Sequence, residues 1–256
     1  MLDRLDPKTI QEGVDAARDS GVDSEVASLL EWARGFLGER LMMTTAFGKS
    51  GMVIMHALKD VAPDVPIYFI DTGFHFGETL EFFDRLLNDW KINLISHKPK
   101  VFGDDFVAEY GEKLHDRDPD LCCHKNKVEP LGELVGQEGR HQGWITGVRR
   151  DQSSTRAQAE TIEILEDGMV KIQPLVHWSR ADVEEYLEKH SVPLHPLFSQ
   201  GYASVGCAPC TKPSGDSKDE RAGRWAGKAK TECGLHTFWK KKKAAGVGGS
   251  DESQGS

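Results

Sequence analysis

The chain carries five cysteines, spaced as an adjacent pair, Cys122-Cys123, a Cys-x-x-Cys, Cys207-Ala-Pro-Cys210, and a singleton, Cys233, within Lys230-Thr-Glu-Cys-Gly-Leu-His236. Four thiolates are the usual ligand set of an iron–sulfur cluster, which leaves a fifth free for chemistry. A free cysteine can also pack as a small hydrophobe, yet none of the five lies in an apolar run. Zinc ligands are commonly spaced C-x₂₋₄-C around one tetrahedral ion. Adjacent cysteines chelate a single ion awkwardly but can reach two irons of a cubane. With Cys207 and Cys210 completing the set, the arithmetic favours one [4Fe-4S] cluster on Cys122, Cys123, Cys207 and Cys210. A redox-active Cys207/Cys210 pair stays open, although the thioredoxin-like βαβ context is absent. Cys233, alone near the tail, reads by itself as readily incidental as catalytic. Lys228, Lys230 and His236 lie close in sequence, and cationic neighbours enrich the thiolate form of a cysteine.

Two short motifs invite phosphate or acid chemistry. Gly48-Lys49-Ser50 resembles the end of a P-loop, but that motif needs a glycine where Met43 stands, so the Walker reading fails. A strand-to-helix turn at 46–51 still presents free backbone N–H groups at a helix start, where anions bind. Asp71-Thr72-Gly73 invites comparison with aspartic proteases, which need two such carboxylates; a single copy after a buried strand fits better as a ligand loop of an open α/β sheet.

The elements that position these residues are legible from periodicity. Apolar residues at Val26, Leu29, Leu30, Ala33 and Leu37 predict a helix over 23–37. Buried strands are expected at 41–47 and 66–70, and further strands at 91–95 and 143–147, with helices over 50–60 and 77–90 between the first three. A strand-like piece follows at 169–172. Ser179 and Asp182 have capping-box spacing at the start of a helix to about residue 190, which Pro193 and Pro196 prevent from continuing. Short strands alternating with helices predict an α/β fold, a mostly parallel sheet with flanking helices. Residues 1–236 read as one domain. Its segment 211–236, which carries Cys233, reads as mobile, and 237–256 as a disordered tail.

A net charge of −9 over 256 residues argues against a general nucleic-acid binder. Basic residues nonetheless gather near the cysteines, at Lys125, Lys127, Arg149, Arg150, Arg156, Arg221, Arg224, Lys228 and Lys230. A local positive site in an acidic protein suits a small anion. No run reaches the roughly 18 apolar residues of a membrane span, and the N-terminus lacks the pattern of a signal peptide. A cytoplasmic, reducing location is therefore expected, in which cysteines bind metal or react more often than they pair.

Together, several segments resemble the assimilatory adenylyl-sulfate and phosphoadenylyl-sulfate reductases, over about residues 41–236. The markers are Ile70-Asp-Thr-Gly-Phe-His-Phe-Gly-Glu-Thr79, Cys122-Cys-His-Lys-Asn-Lys-Val-Glu-Pro-Leu131 and Thr146-Gly-Val-Arg-Arg-Asp-Gln-Ser153. Gln173-Pro-Leu-Val-His-Trp-Ser179, Gly201-Tyr-Ala-Ser-Val-Gly-Cys-Ala-Pro-Cys210, Gly223-Arg-Trp225 and the stretch around Cys233 extend them. The resemblance implies an adenine-nucleotide α-hydrolase-like sheet followed by a mobile C-terminal segment. It implies that Cys233 attacks the sulfur of adenylyl sulfate, expels AMP and becomes an S-sulfocysteine, from which thioredoxin or glutaredoxin releases sulfite. It makes the cluster an electrostatic and structural group rather than a redox-cycling one. Lys127 is then placed near cluster and substrate, Arg149, Arg221 and Arg224 on sulfate and phosphate oxygens, and His236 on the sulfate or beside Cys233. Gly48, Lys49, Ser50, Asp71, Thr72 and Gly73 become nucleotide contacts.

The loop 46–51 is closer to that of cluster-free, phosphoadenylyl-type enzymes, while the four cluster cysteines favour adenylyl sulfate. No redoxin-like domain follows His236, so a separate protein is expected to supply electrons. An ATP-cleaving adenylating or tRNA-thiolating enzyme would show Ser-Gly-Gly-x-Asp-Ser in the first loop, which is not found here. A cluster-bearing nucleic-acid module lacks support from charge and from interleaved aromatic and basic patches. Neither a nucleic acid nor a membrane is expected as partner, and a homo-oligomer stays open.

Overall fold

The computed structural model describes residues 12, 13, 15, 22–135, 140–165, 168–214, 219–230 and 232–235. His236 and the tail 237–256 lie outside the described residues. Six strands form one sheet in the order β3-β2-β1-β4-β6-β5. They are β1 Leu41–Thr45, β2 Ile67–Ile70, β3 Leu94–His97, β4 Gly143–Ile145, β5 Ile162–Ile164 and β6 Val170–Ile172. Every pairing is parallel except β5 with β6. Helices cover both faces, as a parallel sheet requires, which is why β2, β4 and β6 are buried at every position.

Helix α1, Val22–Leu37, buries Val26, Leu29, Leu30, Ala33 and Leu37 against the main core, the face its spacing predicts. Helices α2, Lys49–Val61, and α3, Gly77–Asp89, follow β1 and β2. Helix α8, Arg180–Lys189, begins with the capping box read from Ser179 and Asp182. The Asp182 N–H donates to Ser179 Oγ at 3.2 Å, and the Ser179 N–H donates to Asp182 Oδ2 at 2.7 Å.

Two expectations shift. The third strand starts three residues later than predicted, because Trp90 closes α3 and the intervening residues turn before β3. Residues 104–134, for which periodicity gave no prediction, form four short helices and a π turn. The helices are α4 Asp104–Tyr110, α5 Leu114–Arg117, α6 Pro119–Cys123 and α7 Glu129–Leu134. Gly111, Pro119 and Pro130 cut this stretch into pieces too short to show a period.

The sheet order makes β1 and β4 the switch point, with chain connections leaving to opposite sides. Open α/β sheets bind ligands at the carboxyl ends of such strands. The loop after β4 presses against the start of α2: a Cβ on Gly147 would come 3.2 Å from the backbone nitrogen of Gly51. On the far side, His195 ties the chain after α8 to α3. Its Nδ1 accepts the Leu197 N–H at 3.2 Å, which puts the ring proton on Nε2, 2.9 Å from Thr79 Oγ1.

Burial lowers the His195 pKa to about 4, against roughly 6.5 in an unfolded chain. Between these values the unfolded state takes up a proton that the folded state refuses, so stability is full above pH ~6.5 and falls as the pH drops toward ~4. Urea unfolding at pH 7 and pH 5 should show the stability advantage of the native chain over His195→Gln shrinking by about 1–2 kcal/mol. An advantage independent of pH would contradict the assignment.

Candidate active site

Strand β1 ends in a turn built by Phe47, a non-glycine residue at φ 56°. Left-handed backbone is disfavoured for such a side chain. Here Phe47 is fully buried and packs on Phe69 and Phe82, and its N–H donates to Thr45 Oγ1 at 3.0 Å. The turn delivers Gly48 as an extended N-cap with no side chain capping α2. The first-turn N–H groups of α2 are thus left for an external acceptor.

Gly48, Ser50 and Gly51 line a cavity of about 240 Å³ over the switch point. The opposite wall carries Lys127, Arg156, Arg221, Arg224 and Cys233. Arg149 is buried just behind: it donates to Ser50 Oγ at 2.6 Å, Asp151 Oδ1 at 2.9 Å and Glu220 Oε1 at 2.9 Å. With two carboxylates on its guanidinium, Arg149 clamps the loop after β4 to α2 and to the C-terminal segment. Lys49, expected as a nucleotide contact, turns its ammonium to Glu184 at 2.5 Å and over the Phe198 ring and does not line the cavity. The structure seats Asp71 and Gly73 outside the cavity wall, where Asp71 Oδ1 accepts the Gly73 N–H at 3.0 Å.

Behind Lys127 lies a second, smaller pocket lined by Cys122, Cys123, Cys207 and Cys210, with Phe74, Pro119, Asn126 and Pro209. Asp118 caps α6 by accepting the Leu121 N–H, and Pro119 occupies its first turn. The helix then widens into the π turn His124–Val128, an irregularity common at functional sites. Asn126 Nδ2 donates to Cys122 O at 3.0 Å and lies 3.7 Å from Cys122 Sγ. The Cys207–Cys210 turn is anchored by the Ala208 N–H on Phe74 O at 2.7 Å, and the Thr72 hydroxyl stands 3.3 Å from Cys207 Sγ.

Burial pushes the Cys122 thiol up to about 12 and Cys123 up to about 11, with neighbouring cysteines adding to the rise at both. Burial also raises Cys210. Burial opposes ionisation of Cys207 as well, but Lys127 and Thr72 bring it below the usual thiol value. Burial would lower Lys127, yet Cys207, Cys233 and Cys123 hold its ammonium above the usual lysine range. All five thiols are unbridged. Among the described residues no three His, Cys, Asp or Glu side chains converge for a single metal ion.

A Phosphoadenosine phosphosulfate reductase domain model matches residues 40–213, more than half of the chain. The chain belongs to this family. Among curated relatives, the adenosine 5'-phosphosulfate reductase of Streptomyces coelicolor is 44% identical over 84% of this chain and 89% of its own. Adenosine 5'-phosphosulfate reductase 1 of Bacillus subtilis is 41% identical over 82% of this chain and 89% of its own. A crystal structure of phosphoadenylyl-sulfate reductase from Candida auris, a phosphate complex, matches with TM-score 0.69 and 29% identity, covering 82% of this chain and 98% of that chain. The FMN adenylyltransferase of Candida glabrata, solved with FAD and inorganic pyrophosphate, shares the fold alone, with TM-score 0.51 and 16% identity over 88% of this chain and 77% of that chain. Among the described residues no helix is long and apolar enough to cross a membrane.

In this member of the reductase family, Cys233, Lys127, Gly48, Ser50, Arg221 and Arg224 share one cavity, and the four other cysteines share the pocket behind it. Thr72 faces Cys207 rather than the cavity. Arg156, His75, Glu220 and Phe198 line the cavity without having been singled out as site residues. Arg156 carried one signal, its place among the basic residues. His75 lay inside a marker segment without an assigned task, and the other two had no sequence signal.

Trp225 organises the basic wall. It is buried, and Arg224, Arg221 and Lys230 lie over its ring at 4.6, 5.5 and 5.6 Å from the centroid. Cation–π contacts are worth ~0.5–2 kcal/mol each. Trp225→Leu should therefore weaken binding of inorganic phosphate at least about fivefold in calorimetric titration, while Trp225→Phe, which keeps a π face, stays within about twofold. Equal losses in both variants would remove the ring's role.

Proposed function

We propose that the chain reduces adenylyl sulfate to sulfite and AMP, with Cys233 as the nucleophile. The observation that carries this is that Cys233 opens onto the same cavity as Lys127, three arginines and the uncapped start of α2. That is a thiol facing a site built for a multiply charged anion. The choice of adenylyl sulfate rests on the names of the relatives, and a role in sulfate assimilation is consistent with it.

The steps follow from the chemistry. The guanidinium forks and free N–H groups hold phosphate and sulfate oxygens and bring the sulfur to Cys233. The Cys233 thiolate attacks that sulfur; the S–O bond to phosphate breaks and AMP departs with the electron pair. The product is an S-sulfocysteine, with Lys127 offsetting negative charge that develops in the cavity. One thiolate of a dithiol protein, thioredoxin or glutaredoxin, then attacks Cys233 Sγ and releases sulfite. Its second thiol resolves the mixed disulfide and returns Cys233 reduced.

The donor set of the rear pocket fits a [4Fe-4S] cluster. Cys122, Cys123 and the half-buried Cys210 are thiols that resist ionisation and would become thiolates beside a cationic core, while Cys207 already lies below the usual thiol value next to Lys127. Cys122, Cys123, Cys207 and Cys210 would hold the cluster, with Thr72 and Asn126 beside the sulfurs. When bound it supplies structural support and a fixed charge distribution beside Lys127, without redox cycling.

Protein purified without oxygen should hold about four irons per chain and form sulfite from adenylyl sulfate with thioredoxin. Cys233→Ser should keep the iron and lose turnover, whereas Cys207→Ser should lose iron. Sulfite formation persisting in Cys233→Ser would exclude this nucleophile. Comparing rates on adenylyl and phosphoadenylyl sulfate settles the substrate: a higher kcat/KM on the second would transfer the function to the phosphorylated nucleotide.

A further inference from the structure

The residue preceding the reactive thiol has a charge that is wrong for an anion site. Glu232 carries a carboxylate within the segment that a dianionic substrate should meet, yet it does not line the main cavity. It faces a second, more open cavity on the far side of the basic wall, together with Arg221, Arg224 and Trp225. From there it takes Arg156 Nη2 at 3.2 Å and Arg221 Nη2 at 3.2 Å. The three side chains are only 13%, 11% and 19% exposed, so the pairing is largely shielded from solvent and its screening is weak. Arg156 and Arg221 themselves line the cavity with Cys233. Arg156 also donates to Gln152 Oε1, which accepts the Arg149 N–H.

From this arrangement we infer that Glu232 is a positioning residue. From behind the wall, its carboxylate docks the Cys233-bearing segment on Arg156 and Arg221 and fixes where both guanidinium groups point. It takes no substrate volume and can stay in place through the first chemical step. The segment has other fastenings. Gly234, at φ 92°, lies so close to Val128 that a Cβ would come 3.3 Å from Cγ2, and Leu235 packs on the apolar cluster of Leu131 and Trp144. Upstream, Lys228 pairs with Asp116 at 2.9 Å and Lys230 with Asp120. Glu232, directly before Cys233, is the charged contact among these that also reaches two arginines of the cavity wall. Removing its charge takes a carboxylate from two guanidinium groups at low exposure, which is more disruptive than losing a surface pair. The inference rests on the reading of Cys233 as nucleophile, but its first test needs no turnover.

Cluster-loaded native protein and Glu232→Gln are treated with iodoacetamide without nucleotide, and alkylation at Cys233 is followed by peptide mass. The variant should alkylate about tenfold faster, the factor that loss of ~1.4 kcal/mol of docking produces. Its single-turnover release of AMP from adenylyl sulfate should be about tenfold slower at saturating nucleotide, with iron content unchanged and Glu232→Asp recovering part of both effects. Alkylation within about twofold of native overturns the proposal. If Glu232→Gln does not accumulate as iron-bearing protein, Arg156→Gln takes its place, and a native alkylation rate there overturns it equally. Faster alkylation with no AMP released by the native protein would leave the latch standing and sink the proposed reaction.

Discussion

A lysine ammonium buried between two pockets has to be balanced by nearby negative charge, and at Lys127 the balancing groups are sulfurs. Cys207, Cys233 and Cys123 keep it charged against the pull of burial. Removing Cys207, which Lys127 and Thr72 bring below the usual thiol value, deprives the buried ammonium of a compensating charge in low dielectric. The π turn after α6 is what allows Cys122, Cys123 and Lys127 to face the same pocket from one stretch of chain. The rear pocket, the front cavity and the C-terminal segment therefore meet at one charged group, Lys127.

The sheet supplies the other half of the site. The β1/β4 switch point puts the Gly48 turn and the loop after β4 side by side, and Gly147 is small enough to let their backbones approach. Arg149 locks that approach by reaching Ser50 while Asp151 and Glu220 balance its charge. The strain at Phe47 is tolerated because its ring is in the core. Core packing thus fixes the direction in which the α2 N–H groups point, and the anion site needs no flexible glycine-rich loop of its own.

What the sequence made legible follows from how local each signal is. Strands β1, β2, β4 and β6, helices α1 and α3 and the Ser179–Asp182 cap depend on residues within a few positions of each other and formed close to where they are read. Strand β3 starts later, and β5 has no reading of its own. The two cysteine pairs, 84 residues apart or more, were legible only because cysteine types in that spacing have few uses. Residues 104–134 were opaque, since four helices of seven residues or fewer show no period. Lys49 reads from the sequence as a nucleotide contact, but its ammonium pairs with Glu184, 135 residues away. Glu220 and Glu232 were invisible because their meaning lies wholly in distant arginines.

The kind of contact that fastens residues 219–235 also bears on the chemistry. The described residues of this stretch form no helix or strand and are held mainly by ion pairs, cation–π contacts and single backbone bonds, with Trp225 the one large buried side chain among them. In the proposed reaction Cys233 must meet two partners in turn. The nucleotide would bind in the cavity of about 240 Å³, which is far too small to admit a protein dithiol. After the first step the thiol has to be presented outward, so a segment packed into the core by apolar burial would trap the intermediate. Charged contacts dock the segment with geometric definition, yet each can exchange for water or for product oxygens at modest net free energy. Once AMP has left, the arginines that held its phosphate lose an anion, and the balance between docked and released segment is set by the same side chains that bound the substrate.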